Sequence, residues 1–138
     1  MASPDITNSG FRRSLAILVA DDDVATVSAL SEMLRRDTHT VHAVTRGDRV
    51  LEEVRRINPD VCIVSIEVPG QSGYAIAQLL TTGLGQKRPL LIALSRLWTR
   101  SSEQHLAHTL GFHYFFSKEQ DLNELMPVVR WWARRPVV

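Results

Sequence analysis

The chain has 138 residues, 44% hydrophobic and 22% charged, with a formal net charge of +1. That length supports one domain with its own core, and the charge gives no whole-molecule field to recruit nucleic acid or an anionic membrane. One cysteine, Cys62, excludes an intramolecular disulfide, and no apolar run approaches the ~18 residues of a membrane span, so a cytoplasmic protein is expected.

Residues 1–13 are polar, are interrupted by Pro4 and Gly10, and lack the apolar core of a signal peptide. They read as a flexible N-terminal tail. Residues 15–20 form a continuous apolar run, as in a strand buried on both faces, and Asp21, Asp22 and Asp23 stop it. A stripe at Val27, Leu30, Met33 and Leu34 predicts a first helix, and residues 40–44 a second strand. Val50, Leu51, Val54 and Ile57 predict a second helix, ended by Asn58 and Pro59. Residues 61–66 read as a third buried strand holding Cys62 as a core residue, followed by a Pro69-Gly70 loop. Tyr74, Ala77 and Leu80 give a third helix ending near Gly83 and Gly85, and residues 90–94 a fourth strand. Leu106, Ala107 and Leu110 suit a fourth helix closed by Gly111, and residues 112–116 a fifth strand. Leu122, Leu125, Met126 and Val129 mark a fifth helix, which Pro127 should kink or delay.

Strand followed by helix, five times over, predicts an α/β fold: a parallel sheet covered on both faces. Right-handed crossovers leave few topologies, and the flavodoxin-like doubly wound order 2-1-3-4-5 fits best. The expected domain covers 14–130, with 131–138 a C-terminal tail or the start of a linker. Binding sites in such sheets lie beyond the C-terminal strand ends. Asp21, Asp22 and Asp23 follow strand one, Ser65 and Glu67 strand three, Ser95 strand four and Lys118 strand five. Adjacent carboxylates repel one another and call for a cation, and hard oxygen ligands suit magnesium. A hydroxyl and a lysine nearby suit phosphoryl oxygens. An Asp-Asp-Asp run alone is more often a solvated loop; the joint placement at four strand ends makes a phosphate-and-magnesium site the sharper reading.

Over roughly residues 14–130 the pattern resembles a bacterial response-regulator receiver domain of two-component signalling. The run Ile-Leu-Val-Ala-Asp-Asp-Asp at 17–23 is similar to the family's first strand and acidic pair, here Asp21 and Asp22. Residues 58–73 follow its third-strand motif, including Pro69 and Gly73; Ser95 matches the fourth-strand hydroxyl, Lys118 the fifth-strand lysine and Phe115 the aromatic switch position. The resemblance implies magnesium on Asp21 and Asp22 with help from the backbone at Glu67, and phosphate recognition by Ser95 and Lys118, Ser95 and Phe115 forming the switch.

The match fails at the chemistry. Where the family carries the aspartate that becomes an acyl phosphate, this chain has Ser65. A serine needs a base to act as a nucleophile, and no histidine stands at a matching strand end. Magnesium also loses one anionic ligand. Arg96 follows Ser95, where a small residue is usual and where a long cation can fill the mouth of the site. Glu119 replaces the usual proline after Lys118, so a trans bond is expected there. Glu67, two residues beyond Ser65, stands either as a partial replacement for the lost carboxylate, as a partner of Arg96 or Lys118, or as a solvated loop residue.

The expectation is therefore a pseudo-receiver: a signalling module, not an enzyme, that acts by protein contact. One alternative is a phosphorelay receiver whose acceptor aspartate was replaced by Ser65. Another is a magnesium-dependent phosphatase using Asp21. The resemblance implies a histidine kinase, a phosphotransfer protein or an output domain as partner, and homodimerisation through helix four, strand five and helix five. Trp98, Trp131 and Trp132, the last two among arginines, are candidate contacts. Adjacent helical residues diverge by ~100°, so Trp131 and Trp132 cannot share one buried position. Direct nucleic-acid binding and a histidine metal site at His105 and His108 are not expected.

Overall fold

The computed structural model describes residues 13–84, 88–96, 101–119 and 121–135. The strands are β1 (Ala16–Ala20), β2 (Thr40–Val44), β3 (Val61–Ser65), β4 (Leu90–Ser95) and β5 (Tyr114–Ser117). The helices are α1 (Val24–Arg36), α2 (Val50–Ile57), α3 (Gly73–Leu84), α4 (Ser101–Thr109) and α5 (Leu125–Arg134). All strands are parallel, in the order β2-β1-β3-β4-β5, so the expected doubly wound sheet is the observed one.

The period of two along each strand divides the core between the two faces. Leu18, Ala20, Cys62, Val64, Leu91 and Ala93 pack with Val50 and Val54 of α2, Ile76 and Leu80 of α3 and Ala107 of α4. Their neighbours Ile17, Val19, Val61, Ile63, Leu90, Ile92 and Leu94 face the other way. They pack against Leu30 and Leu34 of α1 and against Leu125, Met126, Val129 and Ala133 of α5. This is why β1, β3 and β4 read as unbroken apolar runs: no residue in the middle of a central strand meets water. Burial likewise pushes the Cys62 thiol far above its ordinary value and leaves it inert.

Two backbone devices shape the connections of β3, one at each end. Gly73 opens α3 against the end of β3: a Cβ there would stand 2.8 Å from Ile66 Cα and 2.9 Å from the Ser65 carbonyl oxygen. Only glycine permits this approach. Asn58 ends α2 in the left-handed conformation at φ 54°, its N–H donating to the Val54 carbonyl.

Four readings need adjustment. α5 runs past the boundary set at 130 as far as Arg134. Ala133 and Trp132 pack on the core and the Ala133 carbonyl accepts a hydrogen bond from Arg13 N, so this segment is part of the domain. Pro127 introduces no break. A single 3₁₀ turn (Leu122–Glu124) precedes the helix, and Pro127 falls in the first turn of α5, where its missing N–H costs nothing. Leu106 belongs to no core stripe and is exposed on α4. β5 starts at Tyr114 rather than at 112, since Phe112 and His113 make the turn into it. Residues 1–12 of the expected tail and Trp98 lie outside the described residues, while Arg13 is tied to Ala133.

Candidate functional site

The register of the sheet fixes which strand ends meet. β1 pairs with β3, β3 with β4, and β4 with β5, ending at Ser65 opposite Leu94 and Ser95 opposite Ser117. Ile66 N donates to the Leu94 carbonyl and Lys118 N to the Ser95 carbonyl, which carries the zipper one step beyond the strands. Asp21 N donates to the Val44 carbonyl across the other edge of β1.

The inner layer of the site is buried. Lys118 Nζ lies 2.7 Å from Asp21 Oδ2, with side-chain exposures of 4% and 1%. The contact is ionic rather than a well-directed hydrogen bond. Asp21 Oδ1 accepts a hydrogen bond from Asp23 N at 3.0 Å. Ser65 is also buried, and its Oγ has no hydrogen-bond partner among the described residues. A charged pair removed from water holds only when each partner neutralises the other. Lys118 therefore cannot leave Asp21 without leaving a bare carboxylate behind.

The outer layer reaches solvent at Glu67 and Arg96, with Ser95 buried beneath them. Glu67 takes both available donors at the end of β4: Ser95 Oγ donates to Oε2 at 2.7 Å and Arg96 N to Oε1 at 2.9 Å. The Arg96 guanidinium turns instead to Asp23, Nη2 standing 3.7 Å from Oδ2. Thr26 Oγ1 donates to that same oxygen at 2.7 Å. This hydrogen bond from Thr26, with Arg96 beyond it, holds the Asp23 carboxyl below the ordinary carboxylate range. Asp22 is exposed.

Asp21, Ser65, Ser95 and Lys118 are thus brought to one end of the sheet. Phe115 is half-buried against the core face that carries α2 to α4. Among the described residues, however, no three Asp, Glu, His or Cys side chains converge as a metal ligand set. The side chains of Asp21, Asp22 and Glu67 do not converge, which leaves the expected backbone contribution of Glu67 untouched. Asp21 faces an ammonium group, Asp22 points to solvent, and Glu67 reaches across to β4. As arranged, Lys118 supplies the positive charge beside Asp21 Oδ2, and Asp22 stands apart in solvent.

Glu67 meets Arg96 through the main chain and not through the guanidinium, and the Lys118–Glu119 bond is trans, as expected without proline. Sequence reasoning missed the Asp23–Thr26–Arg96 group. An Asp three residues before a Thr at a helix start was the available signal. It also missed two histidines that hold strand-entry amides. His39 Nδ1 accepts from Leu15 N and His113 Nδ1 from Leu91 N, contacts that nothing in the local pattern announces.

A five-stranded 2-1-3-4-5 sheet with these strand-end residues points to one family. Residues 17–130 match the response regulator receiver domain family. The chain belongs to that family. Solved receivers share its fold. The Francisella response regulator 1452 receiver domain superposes with a TM-score of 0.80 at 20% identity, covering 88% of this chain and 98% of that one. The Klebsiella pneumoniae RstA receiver domain gives 0.77 at 23% identity, covering 87% and 99%. Among curated proteins, a protein-glutamate methylesterase/protein-glutamine glutaminase of Nitrobacter hamburgensis is 29% identical over 130 residues, which is 91% of this chain but 33% of that protein. The DNA-binding transcriptional activator EvgA of Escherichia coli is 22% identical over 114 residues, covering 83% of this chain and 54% of EvgA. The receiver therefore spans about a third to a half of these two relatives. It is a two-component signalling domain, and among the described residues no helix is long and apolar enough to cross a membrane.

Proposed function

We propose that this receiver works by protein contact, without aspartyl phosphorylation, without enzymatic turnover and without a requirement for magnesium. The observation that carries this reading is Ser65. At the position where the family's acceptor carboxylate stands, a buried hydroxyl has no base or hydrogen-bond partner among the described residues. The neighbouring lysine is committed to Asp21. A hydroxyl with no proton acceptor does not capture phosphorus at neutral pH. Incubation of the full chain with a small phosphodonor and magnesium should leave its intact mass unchanged; a labile phosphoryl adduct on the unaltered chain overturns the reading.

The partner belongs to the same signalling class: a histidine kinase, a phosphotransfer protein, an output domain or a second copy of this chain. Support for contact comes from apolar area left in water on α4, β5 and α5, at Leu106, Tyr114 and Trp131, the last 52% exposed beside the half-buried Trp132. Arg135 lies over both indoles, 5.6 Å from the Trp131 ring centre and 3.9 Å from that of Trp132, a grouping suited to a protein interface.

A second reading is favoured by the gathering of Asp21, Ser95 and Lys118 at one end of the sheet: a phosphorelay receiver that has lost only its acceptor. Under it, Ser65→Asp alone restores phosphorylation and magnesium dependence. A restored chain that stays unmodified favours the contact-only reading. Phosphatase activity has less support, since the nucleophile it would need, Asp21, is buried and ion-paired.

A further inference from the structure

Two cations at the strand ends are taken by Asp21 and Asp23, while the Glu67 carboxylate is held by two neutral donors, and that arrangement assigns it a role. Ser95 Oγ–H and Arg96 N–H are two adjacent donors at the end of β4, the arrangement that binds an oxyanion. Both are held by the two oxygens of one carboxylate, at 2.7 and 2.9 Å. Lys118, the cation on the neighbouring strand end, is held by Asp21. We propose that Glu67 is a tethered anion for this pocket, an autoinhibitory contact that occupies the oxyanion-binding corner and so fixes the end of β4 in one state. This rests on the contact-only reading above and deepens it by naming what sets the state of the site.

The geometry explains why Glu67 suits the task. It follows the end of β3 by two residues, on the loop that Gly73 holds against Ser65 and Ile66. Its side chain therefore reaches across to the next strand instead of along its own. An intramolecular carboxylate competes at an effective concentration no free anion matches in solution. Ser95 is also the relay. Its hydroxyl meets Glu67 and its carbonyl accepts from Lys118 N, so release of the rim is felt at the residue that neutralises Asp21. A partner could release the corner by offering Glu67 a cation of its own, since that carboxylate is exposed.

Inorganic phosphate, titrated into the full ¹⁵N-labelled chain, tests this through the Ser95, Arg96 and Lys118 amide resonances. Glu67→Ala should bind phosphate at least ~10-fold more tightly than the unaltered chain, with Glu67→Gln between them. The Arg96 amide should also exchange with solvent roughly 10-fold faster once its acceptor is gone. Equal phosphate affinity in the unaltered and variant chains, including no binding by any of them, overturns the proposal, as does unchanged Arg96 exchange. Glu67→Gln keeps the side-chain volume and decides the matter if the alanine variant fails to fold. A phosphoryl adduct on the unaltered chain would sink the contact-only reading by a separate measurement, leaving the Glu67 titration to be judged on its own result.

Discussion

The inner and outer layers of the strand-end site carry similar chemistry in different surroundings. Asp21 and Lys118 form an ion pair out of water, whereas Asp23 and Arg96 form one at 3.7 Å with both side chains partly in solvent. A buried pair is costly to assemble and more costly to break, because removing one partner strands the other. An exposed pair is screened and contributes little either way. The inner layer is therefore the structural part of the site, and the rim is the part free to change with a partner.

The largest expected effect tests the inner layer directly. Lys118→Met should cost about 3–5 kcal/mol of unfolding free energy in urea denaturation. A loss under about 1 kcal/mol would move the pair into the surface class and erase the contrast. Gly73→Ala comes next. Its Cβ would press on the backbone at Ser65 and Ile66, and a loss of about 1–3 kcal/mol is expected from such overpacking. No loss would mean that the loop carrying Glu67 is not tightly held. Ser65→Ala works in the opposite direction. It removes a buried hydroxyl that makes no hydrogen bond, and a gain of about 1 kcal/mol is expected; a loss would reveal a partner for that oxygen. Arg130→Ala, which removes a 2.9 Å contact from α5 to Asp37 at the end of α1, provides a partly exposed reference and should cost about 1 kcal/mol or less.

The smallest effect concerns acid. Burial, with the Arg88 charge beside it, pushes the His113 pKa below its ordinary value, and Nδ1 can accept from Leu91 N only while unprotonated. The folded state thus binds this proton less readily than the unfolded chain. The stability contributed is complete above the unfolded value of about 6.5 and falls away as pH drops through the lower, folded one. Thermal melts of His113→Gln should show a shallower loss between neutral and mildly acidic pH than the unaltered chain. Parallel curves would remove His113 from the account.

Much of the fold was legible from the chain because its signals are local. Residues 40–44 form β2 at the expected limits, and the runs through Ile17, Ile63 and Ile92 lie in the three central strands. The errors came where tertiary packing overrode a local cue. Pro127 looked disruptive until its place in a first helical turn was known, and the segment around Trp132 looked like a tail until it packed beside Val129. Leu106 fitted an apolar stripe, yet its helix turns that residue outward. The site was legible to a lesser degree: the strand ends named its members but not their partnerships.

By itself the sequence determined the five-fold alternation, the burial of the central strands on both faces, and the presence of a serine, Ser65, at the end of the third strand. These follow from hydrophobic period and residue identity, which are properties of short segments. Only the tertiary structure decided that Lys118 neutralises Asp21, that Glu67 crosses to Ser95 and the Arg96 amide, and that the Arg96 guanidinium goes to Asp23 instead. Each of these depends on loop paths and side-chain reach between strand ends remote in sequence. Opposite charges gathered at one edge allow several pairings, and the backbone geometry selects among them.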